Sequence, residues 1–389
     1  MVYVILELIA LFLYLNWSKK HTFEVFAKKY INSMIFLLIL ISGLRNRAVG
    51  SDTYRYILSL PNARYTSWSD IIKIFWDAFV NSEQGYKDPG YHLFEKLISE
   101  FTVEQIPFLF IIAILTLVPF AYFLKTTCKS SAQIFISFVF FIPMLFINIP
   151  NQTIRMSLAF ALVCLGYIMM IKKKDNYFFV LIAIAATFHK SSLLVVVFWL
   201  CQKFINPKWI FYGAPVLFCI VLEAPEIVIS VLEGSTGAYE VYLNSIYYSE
   251  NSRPYAILAV MVMLYLIIFV GFHTNKIDWK ENKLMLIGAA FTFGLTPVVR
   301  IDPNMFRLVS YFAPWMMLLL PKAIEAQRIV PPKIMYSFLF FLFLAKACTS
   351  GEYKFFWQHM ELNDTYKYVA DNYTTKTSRD ESAFYMCDK

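Results

Sequence analysis

The chain is expected to be all-α and polytopic, and three features of its 389 residues predict this. Hydrophobic residues make up 59% and charged residues only 16%, where a soluble chain carries roughly a quarter charged. Mean hydropathy is +0.55. Apolar runs recur from end to end, leaving no separate soluble domain of useful size.

A helix needs about 20 residues to cross a bilayer, fewer where flanking Lys and Arg snorkel. Spans are therefore expected near residues 1–16, 31–44, 106–124, 132–148, 153–171, 177–189, 191–205, 209–222, 255–272, 284–299, 304–321 and 334–348, about twelve in all. The short pair at 177–189 and 191–205 also reads as one broken helix or a re-entrant pair. The first run has no basic residues before it and no small-residue cleavage pattern after it, so Met1–Asn16 reads as a retained span. Residues 1–348 form the membrane domain, and 349–389 a tail.

Lysine distribution sets the orientation. One set of loops holds Lys19, Lys20, Lys28, Lys29, Lys125, Lys129, Lys172, Lys173, Lys174, Lys203, Lys208, Lys276, Lys280, Lys283, Lys322, Arg328 and Lys333. Only Glu24, Asp175, Asp278, Glu281 and Glu325 oppose them. That set is expected to face the cytoplasm of a bacterial inner membrane, with both termini outside. The net charge of +8 is thus a topology signal and calls for no nucleic acid. The outer face then carries loops 45–105 and 223–254 and the tail. Within the first loop, Ser69 is expected to cap a helix with Ile71, Ile72, Phe75 and Phe79 on one side. Asp88-Pro89-Gly90 is expected to start another, with Phe94, Leu97, Ile98 and Phe101 at helical spacing. Both read as amphipathic helices on the membrane surface, as braces or as a lid.

Unusual polar residues gather on that outer face. Arg45, Arg47 and Asp52 follow the second span, and Gly50 permits a close turn between them. Asn151-Gln152-Thr153 opens the fifth span, with Arg155 about one turn in. His189-Lys190-Ser191-Ser192 lies at the junction of the short pair. Arg300 closes the tenth span, and Asp302-Pro303 caps the eleventh, with Arg307 a turn further on. Each has a plainer reading: Asp52 and Asp302 as helix caps, Arg155 and Arg307 as snorkelling side chains, His189 as a packing residue. The helix dipole, however, disfavours a cation near a helix start. The opposite face holds lysines and one arginine, Arg328. Arginine's planar fork matches phosphate oxygens, and it concentrates where topology does not ask for it. The pattern points to a site for a phosphorylated or diphosphorylated lipid.

Other chemistries lack their motifs. There is no phosphate-cradling Gly-rich loop, nucleophile elbow or His-Glu metalloprotease motif, and no tight acidic pair of the glycosidase kind. Cys128, Cys164, Cys201, Cys219, Cys348 and Cys387 are scattered without metal-ligand or redox spacing. No metal and no cofactor is expected.

The ordered series Arg47, Gly50, Asp52 and Tyr56; Asp88-Pro89-Gly90-Tyr91; Asn151, Arg155 and Ala159; Ala185-Ala186-Thr187-Phe188-His189-Lys190-Ser191-Ser192; and Arg307, Tyr311 and Phe312 resembles the EpsG family of exopolysaccharide biosynthesis proteins. It covers roughly residues 40–315. Gln152 departs from the Arg-Gln pair expected before Arg155.

That family is related in type to Wzy-like capsule and O-antigen polymerases. The resemblance implies a membrane glycosyltransferase that polymerises undecaprenyl-diphosphate-linked oligosaccharide repeat units on the outer face. A diphosphate leaves without needing a general acid, so arginines stabilising its charge would be the larger effect, with Arg45, Arg47, Arg155, Arg300, Arg307, Gln152 and Tyr311 as substrate-binding candidates. One base would take the acceptor proton, and His189 and Asp52 are the candidates. Partners on this reading are the lipid-linked oligosaccharide, membrane lipid, and a flippase and chain-length regulator of the same pathway. A lipid-linked oligosaccharide flippase would want charges at mid-membrane depth, which are nearly absent. A membrane ligase or other transferase is the third reading.

The charge asymmetry makes a direct prediction. A cysteine introduced by Ser82→Cys should react with a membrane-impermeant thiol reagent on intact cells, above the level of the unsubstituted chain. Labelling only after lysis would reverse the orientation.

Overall fold

The structure, a computed structural model, describes residues 1–50, 53–78, 88–224, 254–274, 278–301 and 305–358. Among them every named element is helical. In chain order these are α1 (Val2–Trp17), α2 (Phe23–Gly43), α3 (Thr53–Tyr65), α4 (Trp68–Trp76), α5 (Pro89–Phe101), α6 (Gln105–Thr127), α7 (Ser131–Phe141), α8 (Ile154–Ile171), α9 (Asp175–Phe188), α10 (Leu194–Phe204), α11 (Pro207–Glu223), α12 (Tyr255–Thr274), α13 (Lys283–Leu295), α14 (Phe306–Ser310), α15 (Ala313–Ala326) and α16 (Pro332–Cys348).

Each expected span falls on one of these helices or on a helix with its adjoining turn, except that at 304–321, whose described part is divided between α14 and α15. Five segments are long and apolar enough to cross a membrane: Phe23–Gly43, Gln105–Thr127, Ile154–Ile171, Tyr255–His273 and Lys283–Arg300. Shorter apolar helices such as α1 and α9 complete the bundle. The pair expected at 177–189 and 191–205 is broken at His189 by one 3₁₀ turn, Lys190–Leu193.

Packing follows from where the apolar residues run all round a helix. Every residue of α7 after Ser131 is buried, and α15 is buried along nearly its whole length. Such helices are interior ones. Around them α2 packs on α6, α6 on α8, α8 on α9, and α13 on α11 and α15. Gln133 in α7 donates to the Leu318 carbonyl of α15 at 2.9 Å, so the polar group on this buried helix is satisfied. Glu7 in α1 is an exception to the apolar spans, being fully buried with neither carboxylate oxygen hydrogen-bonded.

The lysine loops meet at one end of the bundle. Lys322 donates to Asn282 at 2.7 Å, and Lys125 to Asn32 at 2.6 Å. The arginine segments meet at the other end, where α3, α4 and α5 pack beside α9. There the expected caps are revised. Ser67, not Ser69, caps α4, accepting from the Asp70 amide at 3.1 Å. Asp88 precedes α5 with Pro89 in its first turn, but makes no side-chain cap. The expected apolar faces are also split. Ile71 and Ile98 point inward, while Ile72, Leu97 and Phe101 stay exposed. Phe79 lies outside the described residues, as do the 225–253 part of the second loop and the tail beyond Gln358.

Two glycines fix this end. Gly50 has φ +94, and a Cβ there would collide with the Asn151 carbonyl. A Cβ on Gly90 would collide with Thr187, so α5 and α9 touch at backbone distance. Gly50→Ala and Gly90→Ala should each cost about 1–3 kcal/mol through overpacking, with left-handed strain added at Gly50. Thermal unfolding in detergent checks this, and an unchanged midpoint in both variants would contradict the close approach.

Candidate functional site

Arg45 follows the last turn of α2 and is wholly buried. Its Nη1 donates to the Ser42 carbonyl at 2.5 Å and to Ser42 Oγ at 2.9 Å. Its Nη2 reaches the Pro150 carbonyl at 3.3 Å and Thr53 Oγ1 at 3.4 Å. With no exposed surface, Arg45 braces the fold. The tail closes over it: Asn46 N–H donates to the Lys354 carbonyl and Phe356 N–H to the Leu44 carbonyl, both at 2.9 Å. Arg47 is half-buried, its guanidinium 5.7 Å from the centre of the Tyr54 ring. Gln152 packs where the Gly50 turn meets the start of α8. Asp52 and Asp302 lie outside the described residues.

Arg155, in the first turn of α8, is held from two sides. Its Nε donates to the Tyr56 hydroxyl of α3 at 2.6 Å, and its Nη1 pairs with the Asp88 carboxylate at 2.6 Å. The carboxylate expected to cap α5 is therefore turned to the arginine. One helical turn along α5, Tyr91 is buried against Tyr56, ring centres 5.0 Å apart. The next turn brings Glu95, 5% exposed, whose carboxylate accepts from the Ser59 hydroxyl of α3. Burial pushes the Glu95 carboxyl up to about 7; the hydrogen bond from Ser59, the neighbouring Tyr91 hydroxyl and the charges of Arg155 and Arg55 pull the other way.

His189 sits in the break between α9 and the 3₁₀ turn, with its Nδ1 2.5 Å from Ser191 Oγ. The Ser191 hydroxyl is 3.4 Å from the Tyr311 hydroxyl, itself 3.5 Å from His189 Nδ1. The charges of Arg307 and Arg155 both act on His189. The structure thus brings His189, Ser191 and Tyr311 together, and the charges of Arg307 and Arg155 act on the imidazole. Arg300 is held elsewhere, its Nη1 donating to the Leu222 carbonyl at the end of α11. Among the described residues no group of His, Cys, Asp and Glu is arranged to hold a metal ion.

The EpsG family model matches residues 28–359 of the chain. The chain belongs to the EpsG family. It is accordingly a polysaccharide-related membrane protein. Comparison with curated proteins and with solved structures gives no match. The EpsG match takes in both faces of the site, from Arg47 and Asp88 to His189 and Arg307.

Sequence reasoning about this EpsG-family chain missed Asp88 as a partner of Arg155 and Ser191 as the partner of His189, and missed Ser59 and Glu95 altogether. The available signal was polar periodicity. Asp88, Tyr91, Glu95 and Ser99 recur at three- and four-residue spacing, which puts them on one face of α5.

The raised Glu95 carboxyl carries a stability prediction. Folded Glu95 keeps its proton to about pH 7 and the unfolded residue loses it near 4.5. Stability should therefore fall as pH rises across that window, by about 3 kcal/mol. Glu95→Gln imitates the protonated form. Its unfolding midpoint should match the parent at about pH 4.5 and exceed it at about pH 8. A difference that does not vary with pH would refute the assignment.

Proposed function

We propose that this protein polymerises undecaprenyl-diphosphate-linked oligosaccharide repeat units into a surface polysaccharide. The observation that carries the reading is the contact of His189 with Ser191 and Tyr311 under the charges of Arg307 and Arg155, residues drawn from three separate parts of the chain. The site faces outward from the cytoplasmic membrane, following the lysine distribution, and the shorter apolar helices also cross, for about twelve spans.

In the reaction, the bond between the anomeric carbon and the diphosphate oxygen breaks. An acceptor hydroxyl oxygen on the next unit bonds to that carbon, and its proton leaves to a base. Arg155 and Arg307 stabilise the charge that develops on the departing diphosphate. Preorganised donors in a site shielded from water are worth more than the same donors in solvent. Arg155 is preorganised by Tyr56 and Asp88, at 2.6 Å each.

His189 is the base on this reading. Its Nδ1–H donates to Ser191 Oγ, and the Ser191 hydroxyl passes a hydrogen bond to Tyr311. That arrangement leaves Nε2 unprotonated and able to accept the sugar proton. Asp52 is the second candidate base from sequence. Arg47 flanks the same rim, and Gln152 lines the turn below it.

Deletion tests the reaction class. Loss of a polymerase leaves single repeat units on the surface acceptor, whereas loss of a ligase leaves finished polymer unattached. Point variants test the roles. Arg155→Lys and Arg307→Lys keep the charge and lose the fork, so each should lower polymer formation by roughly 10- to 100-fold. His189→Gln should cost roughly 10²- to 10⁴-fold at normal protein abundance. Asp52→Asn retains capping ability, so a loss there would point to charge. Full polymer length in His189→Gln and Asp52→Asn together would remove both as the base.

A further inference from the structure

The inward face of α5 carries several polar residues, while much of its outward face is apolar. Leu93, Leu97 and Phe101 are exposed, whereas Glu95, Lys96 and Ser99 are buried. Two of these buried groups have evident structural duties. Lys96 donates to the Arg64 carbonyl at 2.9 Å and pairs with Glu100 at 2.6 Å. Ser99 donates to the Lys96 carbonyl at 2.7 Å. Glu95 is different. It takes a hydrogen bond from Ser59, and the buried Tyr91 hydroxyl beside it completes no hydrogen bond of good geometry. A carboxyl buried in this way is costly unless it serves something.

Its surroundings suggest what it serves. α3 contributes Arg55 and Tyr56, α5 itself Asp88, Tyr91, His92, Lys96 and Glu100, and α8 Arg155. α4 brings Asp70 and Lys73, and His189 follows α9. Within this set Arg155 donates to the Tyr56 hydroxyl at 2.6 Å, and the Tyr56 ring lies 5.0 Å from that of Tyr91, one turn before Glu95, so the guanidinium and the α5 carboxyl belong to one packed cluster. With Glu95 ionised, Asp88 and Glu95 match Arg55 and Arg155 charge for charge. With Glu95 protonated, the cluster gains one net positive charge.

We propose that Glu95 is a positioning residue that takes a proton from solvent when a diphosphate docks at Arg155, and returns it when the lipid carrier leaves. The inference rests on the reading of the arginine rim as a diphosphate site. A dianion near Arg155 repels a carboxylate on the same cluster and favours its neutral form. Linkage is reciprocal, so a proton on Glu95 strengthens diphosphate binding by the same factor. Glu95 can exchange that proton because its ordinary carboxyl range is displaced to about 7, where the outer surface of a cell operates.

The test uses full-length protein in nanodiscs and an undecaprenyl-diphosphate-linked sugar. Its diphosphate diester stays doubly charged throughout the range tested. Binding is titrated from about pH 6 to about pH 8.5, across the Glu95 window. Affinity of the parent protein should fall about tenfold as pH rises. Binding should take up protons, read with a pH indicator in weak buffer. Glu95→Gln should bind tightly at every pH and take up none. His189→Gln, measured alongside, should keep the parent's pH dependence. The proposal is overturned if parent affinity is flat with pH. It is equally overturned if Glu95→Gln keeps the parent's slope, or if the slope disappears only with His189→Gln. Absence of binding at every pH in parent and variant would instead bring down the diphosphate reading itself, and this inference with it.

Discussion

A guanidinium with no exposed surface holds the end of α2 against the start of α8. Burying a cation costs several kcal/mol unless its donors are satisfied. Arg45 meets that cost with the Ser42 carbonyl and hydroxyl, the Pro150 carbonyl and Thr53. The Ser42 contact also supplies a positive charge to the last turn of α2, where the dipole favours one. Thr53 then donates to the Asn151 carbonyl at 2.7 Å, and Gly50 lies against the same carbonyl because it has no side chain. The position of Arg155 follows, since it sits four residues beyond Asn151 on a helix that this network anchors.

The second half of the site is fixed by a crossing of α5 and α9. Gly90 meets Thr187 at backbone contact. Asp88 lies two residues before that glycine and His189 two residues after that threonine. A single close approach therefore sets both the carboxylate that orients Arg155 and the imidazole beside Arg307. Tyr311 ties in the third part of the chain. Its hydroxyl faces Ser191 and His189, and its carbonyl accepts from Tyr167 at 2.9 Å, so α8 and the start of α15 cannot drift apart without disturbing the imidazole.

Helix positions were largely legible in the sequence, because apolar runs interrupted by lysine and proline leave few alternatives for a chain this poor in charge. Which arginine does what was not. Arg45 and Arg47 are two residues apart in one turn, yet the first is a buried brace and the second packs on Tyr54. Residue type and spacing cannot separate them, since the difference lies in the Pro150 carbonyl, contributed from over a hundred residues away. The side-chain cap expected of Asp88 failed for a similar reason. A local cap competes with a long-range cation, and the charge-assisted pair with Arg155 is the stronger bond. The α5 helix was read from its apolar residues, and its polar face was overlooked because a surface helix ordinarily turns that face to water.

The ion pair between Arg155 and Asp88 bears on how an anion would be received. An arginine that pairs with a carboxylate at 2.6 Å might be taken as already spent. The contacts through Nε and Nη1 are better read as orienting ones. Those contacts fix the plane of the fork before any ligand arrives, so the entropy of orienting a long side chain is not lost at the moment of binding. Asp88 also lowers the standing charge of the rim. A cluster of arginines without such a partner would repel itself and bind any passing anion. On the proposed reading, Asp88 reserves the attraction for a ligand carrying enough negative charge to outweigh one carboxylate, which a diphosphate does and a single sugar hydroxyl does not, and selectivity for the charged carrier over the neutral glycan would follow from that balance.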